Sequence, residues 1–402
     1  MSRTYRKIVN GRIVTPYRII PDGQLLLADG IIEEVSEGHI DAAHAEVIDA
    51  GGNYVTPGFI DIHVHGGGGA DFMDGTAADF LTVANTHARH GTTALMPTIL
   101  TSTKANIIRS LQAYEAAAQQ ATTGVRFLGV HIEGPYFSMA KRGAQDPRYI
   151  RDPDPEEYLE ILESSSSIRR WSVAPERQGA LQLGRVLRER GILPSIAHTD
   201  AVHHDALLAF EQGYSLATHL YSAMSGVTRR NAYRFGGVVE SALLIDEMDV
   251  EIIADGKHLP AELLKLVYKV KGPAHTALIT DAIRAAAMPE GKSMLGSLKD
   301  GVEVIVEDGV AKLPDRTAFA GSVATADRLV RTMVDLADVP LVDAVRMLTA
   351  TPARILGAND RLGTIAPGMC ADLVIFDREI TIKKTIVGGR VVYDAETPGG
   401  HR

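Results

Sequence analysis

Cysteine is almost absent: Cys370 is the only one in 402 residues, so no intrachain disulfide can form. That excludes a disulfide-stapled secreted scaffold and fits a reducing, cytoplasmic setting. Long apolar runs are also missing. Nothing approaches the ~18 residues of a membrane span. The basic start, Arg3 to Lys7, runs into Asn10-Gly11-Arg12 rather than an apolar segment, so no signal peptide is read there. There is no basic block: 41 Lys and Arg face 50 Asp and Glu, a formal net charge of −9. Nucleic acid and anionic membrane are therefore poor partners. There is no Gly-x-Ser-x-Gly elbow to present a serine nucleophile. The Gly66–Gly69 stretch lacks the Lys of a phosphate loop, so nucleotide binding is not read either.

What is present is a large apolar fraction, 45% against 23% charged, the balance of a chain that folds around a core. At ~100–200 residues per domain the length allows two or three domains, or one large barrel with an accessory layer. The two ends share one texture. Short alternating apolar segments flank Asn10-Gly11 and Asp29-Gly30 near the start, and Gly388-Gly389 near the end. Such pairs tolerate positive φ and predict hairpins. The middle alternates apolar runs with amphipathic stretches. Eight runs can be counted, over 58–65, 93–99, 126–133, 170–174, 193–198, 215–219, 250–254 and 277–281. Helical patterns lie between them over 77–90, 103–120, 155–162, 181–189, 203–212 and 260–270, with two more at 323–336 and 341–349. Strict alternation implies a parallel sheet, and eight units imply a closed (β/α)8 barrel. The expected organisation is a small β-sandwich domain built from 1–57 and 358–402 around a barrel over 58–357. A hairpin at 302–313, turning on Asp308-Gly309, is inserted before the last helices.

Catalytic groups of such a barrel sit at the C-terminal ends of its strands. Five of the eight runs end in a good ligand for a divalent metal: His63 and His65, Glu133, His198, His219 and Asp281. Residues i and i+2 of a strand face one side, so His63 and His65 can chelate one ion. His198 and His219 can hold a second, Glu133 can bridge the two, and Asp281 is left to act on water. Zinc and iron favour this donor set. Each residue alone has a plainer reading as a cap or a surface polar group; five coincidences at strand ends do not. Other histidines read as structural. His131 is a hydrogen-bonded core residue, His203 and His204 lie on a helix surface, and His87 and His90 end a helix, where the dipole favours them. Cys370 reads as a small core residue. Gly66–Gly69 either lets backbone approach a ligand or is a flexible loop.

These residues, in this order, resemble the amidohydrolase superfamily, and within it the N-acetylglucosamine-6-phosphate deacetylases. The resemblance is carried by Pro57-Gly58-Phe59-Ile60-Asp61, His131-Ile132-Glu133-Gly134-Pro135, Lys141-Arg142-Gly143-Ala144-Gln145, His198-Thr199-Asp200-Ala201, Thr218-His219-Leu220-Tyr221, Ile253-Ala254-Asp255-Gly256-Lys257-His258, Ile279-Thr280-Asp281-Ala282 and Ala320-Gly321-Ser322. It implies one or two divalent ions, with Glu133, His198 and His219 as the site every member keeps and His63 and His65 as a pair that some retain. It implies Asp281 as general acid/base beside the metal and His258 at the substrate. It implies an amino sugar phosphate as small-molecule substrate, seated by Gln145, Ser222 and Ala223. It also implies a homodimer, in which an arginine of one subunit reaches the phosphate in the other. Two departures stand out. Ser222 replaces the family's Asn, and the arginine segment reads Thr228-Arg229-Arg230-Asn231-Ala232-Tyr233-Arg234-Phe235, longer and without Glu-Pro. Arg230 and Arg234 are the candidate phosphate contacts, with solvated loop charges as the plainer alternative. The rival functions are a different amide hydrolase of the superfamily, a deacetylase for the galactosamine epimer or for an unphosphorylated sugar, and an inactive barrel kept as a binding protein.

Overall fold

The computed structural model describes residues 3–121 and 124–397. Eight parallel strands follow one another around a barrel: Phe59–Val64, Thr92–Ile99, Val130–Glu133, Ile168–Val173, Leu193–Ile196, Leu216–Ala217, Asp249–Ile253 and Thr276–Ile279. Each pairs with the next in parallel register. The ring closes where Asp281 N donates to His63 O at 2.9 Å and His65 N donates to Ala282 O at 2.8 Å. Closure thus ties the eighth strand to the first at their C-terminal ends, where both carry site residues.

The helices form where the apolar spacing places them, and side-chain caps start them. Thr76 and Asp79 form a reciprocal capping box on Ala77–Ala88, Thr103 caps Lys104–Gln120, and Asp154 caps Pro155–Ser164. The helix expected over 260–270 begins at Ala261 and breaks at Gly272, whose φ of 65° and ψ of 176° are not helical, before a last turn that reaches His275. A helix at Val238–Leu244 was not anticipated. After the eighth strand the insertion has three strands rather than two, Gly291–Leu295, Val302–Glu307 and Val310–Lys312. Among the described residues no helix is long and apolar enough to cross a membrane.

The two ends meet in one hydrogen-bonded sheet of eight strands with its own core, which includes Ile8, Ile13, Leu25, Val55, Leu373 and Ile386. Asp29-Gly30, Asp308-Gly309 and Gly388-Gly389 are turns with both residues at positive φ, as expected. Asn10-Gly11 is not. Tyr5–Val14 is one strand, bulged where Asn10 adopts φ 54°. The kink lets a single strand change neighbours along one edge, pairing Glu46–Asp49 through residues 6–9 and Tyr54–Pro57 through residues 12–13. A Cβ on Gly11 would lie 2.7 Å from Val55 Cγ2, so the close approach requires glycine. The sheet docks on the barrel through a bidentate pair, Arg126 to Asp372 at 2.6 and 3.1 Å, and through Phe376 against Phe59.

Candidate metal centre and active site

Six residues expected at strand ends converge in the barrel mouth. Two groups of potential ligands, His63–His65–Glu133 and Glu133–His198–His219, share the one carboxylate, and all are buried. Glu133 Oε1 stands 3.4 Å from His63 Nε2, 3.4 Å from His198 Nε2 and 3.0 Å from His219 Nε2. Its Oε2 stands 3.4 Å from His65 Nε2 and accepts from Gln145 Nε2 at 2.8 Å. Asp281 Oδ1 is 3.0 Å from His65 Nε2 and 3.3 Å from His63 Nε2. Three of these residues leave their strands in the left-handed region: His198 at φ 45°, His219 at 32° and Asp281 at 47°. Such conformations cost about 1–3 kcal/mol each and survive where their surroundings impose them.

The donor set fits a divalent transition ion. His198 Nδ1 donates to Lys141 O at 3.0 Å, His65 Nδ1 points at Thr98 O at 3.3 Å, and His63 Nδ1 faces Glu251 Oε2 at 3.5 Å. With the proton placed on Nδ1 by these acceptors, each Nε2 presents a bare lone pair to the cluster, the usual arrangement of a metal-binding histidine. His63 and His65 bring two such nitrogens within 3.3 Å of each other, where they repel unless a cation stands with them. Ligands about 2.1 Å from a tetrahedral ion lie about 3.4 Å apart, close to the separations found around Glu133. The electrostatics agree. Burial works against charge on His63, but Glu133 and Asp281 overcome it and raise its pKa to about 10. Burial would raise Glu133 and Asp281; their histidine neighbours hold both below the ordinary carboxylate range. In the chain by itself a proton occupies a place suited to a metal cation.

A cavity of about 290 Å³ opens above the cluster, lined among others by Gln145, His198, Ser222, Ala223, His258, Asp281, Leu295 and Phe319. His258 Nδ1 is bonded to Asp255 Oδ2 at 2.8 Å and its ring packs on Phe319, 4.7 Å between centroids. Among the described residues Lys141 is the one Lys or Arg in the lining, with Nζ 3.8 Å from Asp200. Gln145 spans from Glu133 to the Thr101 backbone N at 3.2 Å, so its amide is committed to the carboxylate that the two ligand groups share. Arg230 and Arg234 are not in this cavity. They lie exposed on an unanticipated hairpin, Thr228–Arg230 with Tyr233–Phe235, and Arg230 stacks over Phe235. A larger cleft of about 640 Å³ lies on the terminal sheet, between Glu46–Asp49 and Arg390–Asp394, with no such donor cluster among the described residues.

His131 is a buried core residue bonded to Ser172 Oγ at 2.7 Å and Thr98 Oγ1 at 3.2 Å. His203 is half-buried, bonded to Ser241 Oγ at 2.9 Å, and His204 is exposed. His87 departs from the helix-dipole reading. It is fully buried, bonded to Gly66 O at 3.0 Å, and burial lowers its pKa to about 4, so it is neutral. The Gly66–Gly69 loop does approach something closely, but that partner is the protein itself. A Cβ on Gly66 would lie 2.5 Å from Ala70 O and 2.7 Å from Arg284 N. Two charged residues escaped the sequence reading, Arg170 and Glu251, paired inside the barrel beneath His63. Their signal was available: each is a charge inside an apolar run of a parallel sheet, where it can only be buried against a partner.

Residues 54–392 match the amidohydrolase family. The chain is 34% identical over 388 residues to an N-acetylglucosamine-6-phosphate deacetylase of Bacillus subtilis (strain 168), covering 95% of each chain. It is 32% identical over 383 residues to an N-acetylgalactosamine-6-phosphate deacetylase of Escherichia coli O157:H7, covering 94% of this chain and 97% of that one. The solved N-acetylglucosamine-6-phosphate deacetylase from Pasteurella multocida superposes with a TM-score of 0.90 at 29% identity, over 96% of this chain and 99% of that one. With a family match over most of its length and a barrel mouth built for metal, the chain belongs to the amidohydrolase family of metal-dependent hydrolases.

Proposed function

We propose that this enzyme hydrolyses the N-acetyl group of an amino sugar phosphate, converting N-acetylglucosamine 6-phosphate and water to glucosamine 6-phosphate and acetate in the cytoplasm. The observation that carries it is Glu133 shared between two ligand groups with Asp281 beside them, at the floor of a cavity of sugar size. The galactosamine epimer is the second reading, favoured by the relative from Escherichia coli O157:H7.

Glu133, His198 and His219 would hold one divalent ion, zinc or iron, and His63 and His65 would hold a second together with Glu133. A bound ion lowers the pKa of a water ligand toward ~7 and polarises an acyl oxygen. Asp281, ionised beside two histidines, accepts the proton of the attacking water and passes it to the departing amine nitrogen, the double duty of a general acid/base. His258, oriented by Asp255, directs its other ring nitrogen to the substrate. Gln145 holds the orientation of the Glu133 carboxylate by donating to its Oε2. Ser222 and Ala223 border the sugar. Among the described residues the cavity has a single permanent cation, Lys141, for a phosphate that carries nearly two charges. The exposed Arg230 and Arg234 supply the remainder from a second subunit, which makes a homodimer the working unit. The barrel, 58–357, carries the chemistry.

The test is acetate release by the purified enzyme, compared across phosphorylated and unphosphorylated N-acetylglucosamine and N-acetylgalactosamine. Faster turnover of N-acetylglucosamine 6-phosphate is the expected result. Preference for the galactosamine phosphate selects the second reading, and no release from any of the four rejects both.

A further inference from the structure

Beneath His63 the barrel strands carry a buried, hydrogen-bonded layer of polar side chains. Arg170, from the fourth strand, is fully buried and uses all five of its N–H donors. Nε donates to Ser195 Oγ at 3.0 Å on the fifth strand. Nη2 donates to Thr218 Oγ1 at 2.8 Å after the sixth and to Glu251 Oε2 at 2.8 Å on the seventh. Nη1 donates to Ile62 O at 3.3 Å on the first and to the other oxygen of Glu251. Ser172 extends the layer to Ser195, Thr218 and His131. One guanidinium therefore fixes Glu251 against four strands. The fixed carboxylate also stands 3.5 Å from His63 Nδ1 through its Oε2.

The four histidines are not supported alike. His65 and His198 face backbone carbonyls, and His219 Nδ1 has no hydrogen-bond partner. His63 alone faces a carboxylate. A carboxylate behind a ligating imidazole holds the ring and increases its donor strength. We infer that Glu251, held by Arg170, is a positioning residue that sets how tightly the His63–His65 position holds its ion. A buried pair kept only for packing has no need to point at a ligand; aliphatic residues of equal volume would serve the core as well or better.

The inference rests on the metal reading above but not on the substrate. Its test uses metal content at fixed free zinc, measured on the full-length enzyme, together with chelator competition. The wild type should hold two ions per chain. Glu251→Gln, which keeps size and one acceptor but removes the charge, should weaken one of them by about 10–100-fold and leave the other within twofold. Glu251→Asp, which restores the charge, should recover most of the lost affinity. The double variant Arg170→Met with Glu251→Met has a neutral floor without a buried lone charge, and should also bind one ion. A wild type with a single ion overturns the inference. So does a Gln variant with both ions held as tightly as before, or with both weakened alike. Failure of all three variants to fold shows a core element instead, and is equally fatal. Acetate release enters none of these readings, so the substrate assignment stands or falls separately.

Discussion

Asp281 sits at the end of the last barrel strand with Oδ1 3.0 Å from His65 Nε2, and its backbone N closes the barrel on His63 O. Its two duties can be separated. Asp281→Asn keeps the shape and the backbone bond but cannot take a proton. Turnover should fall by at least about 10²-fold, the low end for a general acid/base. Metal at Glu133, His198 and His219 should persist, since Asp281 is not part of that group. Stopped or steady-state acetate release with a parallel metal assay checks both halves, and near-normal turnover would remove Asp281 from the mechanism. The six ligand-type residues were legible in the sequence because barrel chemistry has a fixed address, the C-terminal strand end. Gln145 was legible as a site residue but not in its job. Whether a glutamine points at a substrate or at a carboxylate depends on the fold of the Lys141–Gln145 loop, which no periodicity encodes.

Elements were legible where their pattern was periodic or their turn local. Asp29-Gly30 and Asn10-Gly11 are the same signal locally, yet only the first turns the chain. Asn10-Gly11 became a bulge because its strand serves two parallel neighbours, a non-local demand. The arginine segment carries no hairpin signal in the sequence because its hairpin, turning on Asn231-Ala232, is short and exposed and has no alternating apolar face. Its exposure gives the next prediction. Arg230→Ala or Arg234→Ala should raise KM for the phosphorylated sugar far more than for the unphosphorylated one, because a guanidinium fork suits phosphate. Equal effects on both substrates, or a monomer in sedimentation, would leave these arginines as surface charge. Gly66 tests the loop after the histidine pair. Its Cβ would meet backbone atoms on two sides, so Gly66→Ala should cost about 1–3 kcal/mol in denaturant unfolding. An unchanged midpoint would show that the loop relaxes.

At the scale of the whole molecule, the barrel gathers a large uncompensated demand for positive charge, and that ties folding to metal. The sequence contains every group involved, but not their mutual distances, so the direction of the coupling appears only in the fold. His63 carries it. Its pKa is raised to about 10, against an ordinary value of ~6.5. A group whose pKa rises on folding contributes stability that is complete below its unfolded pKa and disappears as pH climbs through the folded one. In metal-stripped protein this contribution should therefore be present near neutrality and vanish as the pH nears 10. A divalent ion displaces the proton and removes the dependence, since histidine binds metal only when neutral. Two measurements follow from this. The Tm of chelator-treated enzyme should fall between about pH 7 and pH 10, relative to the zinc-loaded enzyme at each pH. Zinc added to stripped enzyme near pH 8 should release protons, detectable by calorimetry in buffers of different ionisation enthalpy. Parallel Tm curves together with no proton release would mean that His63 is neutral before the metal arrives, and that the carboxylates around it are balanced in some other way.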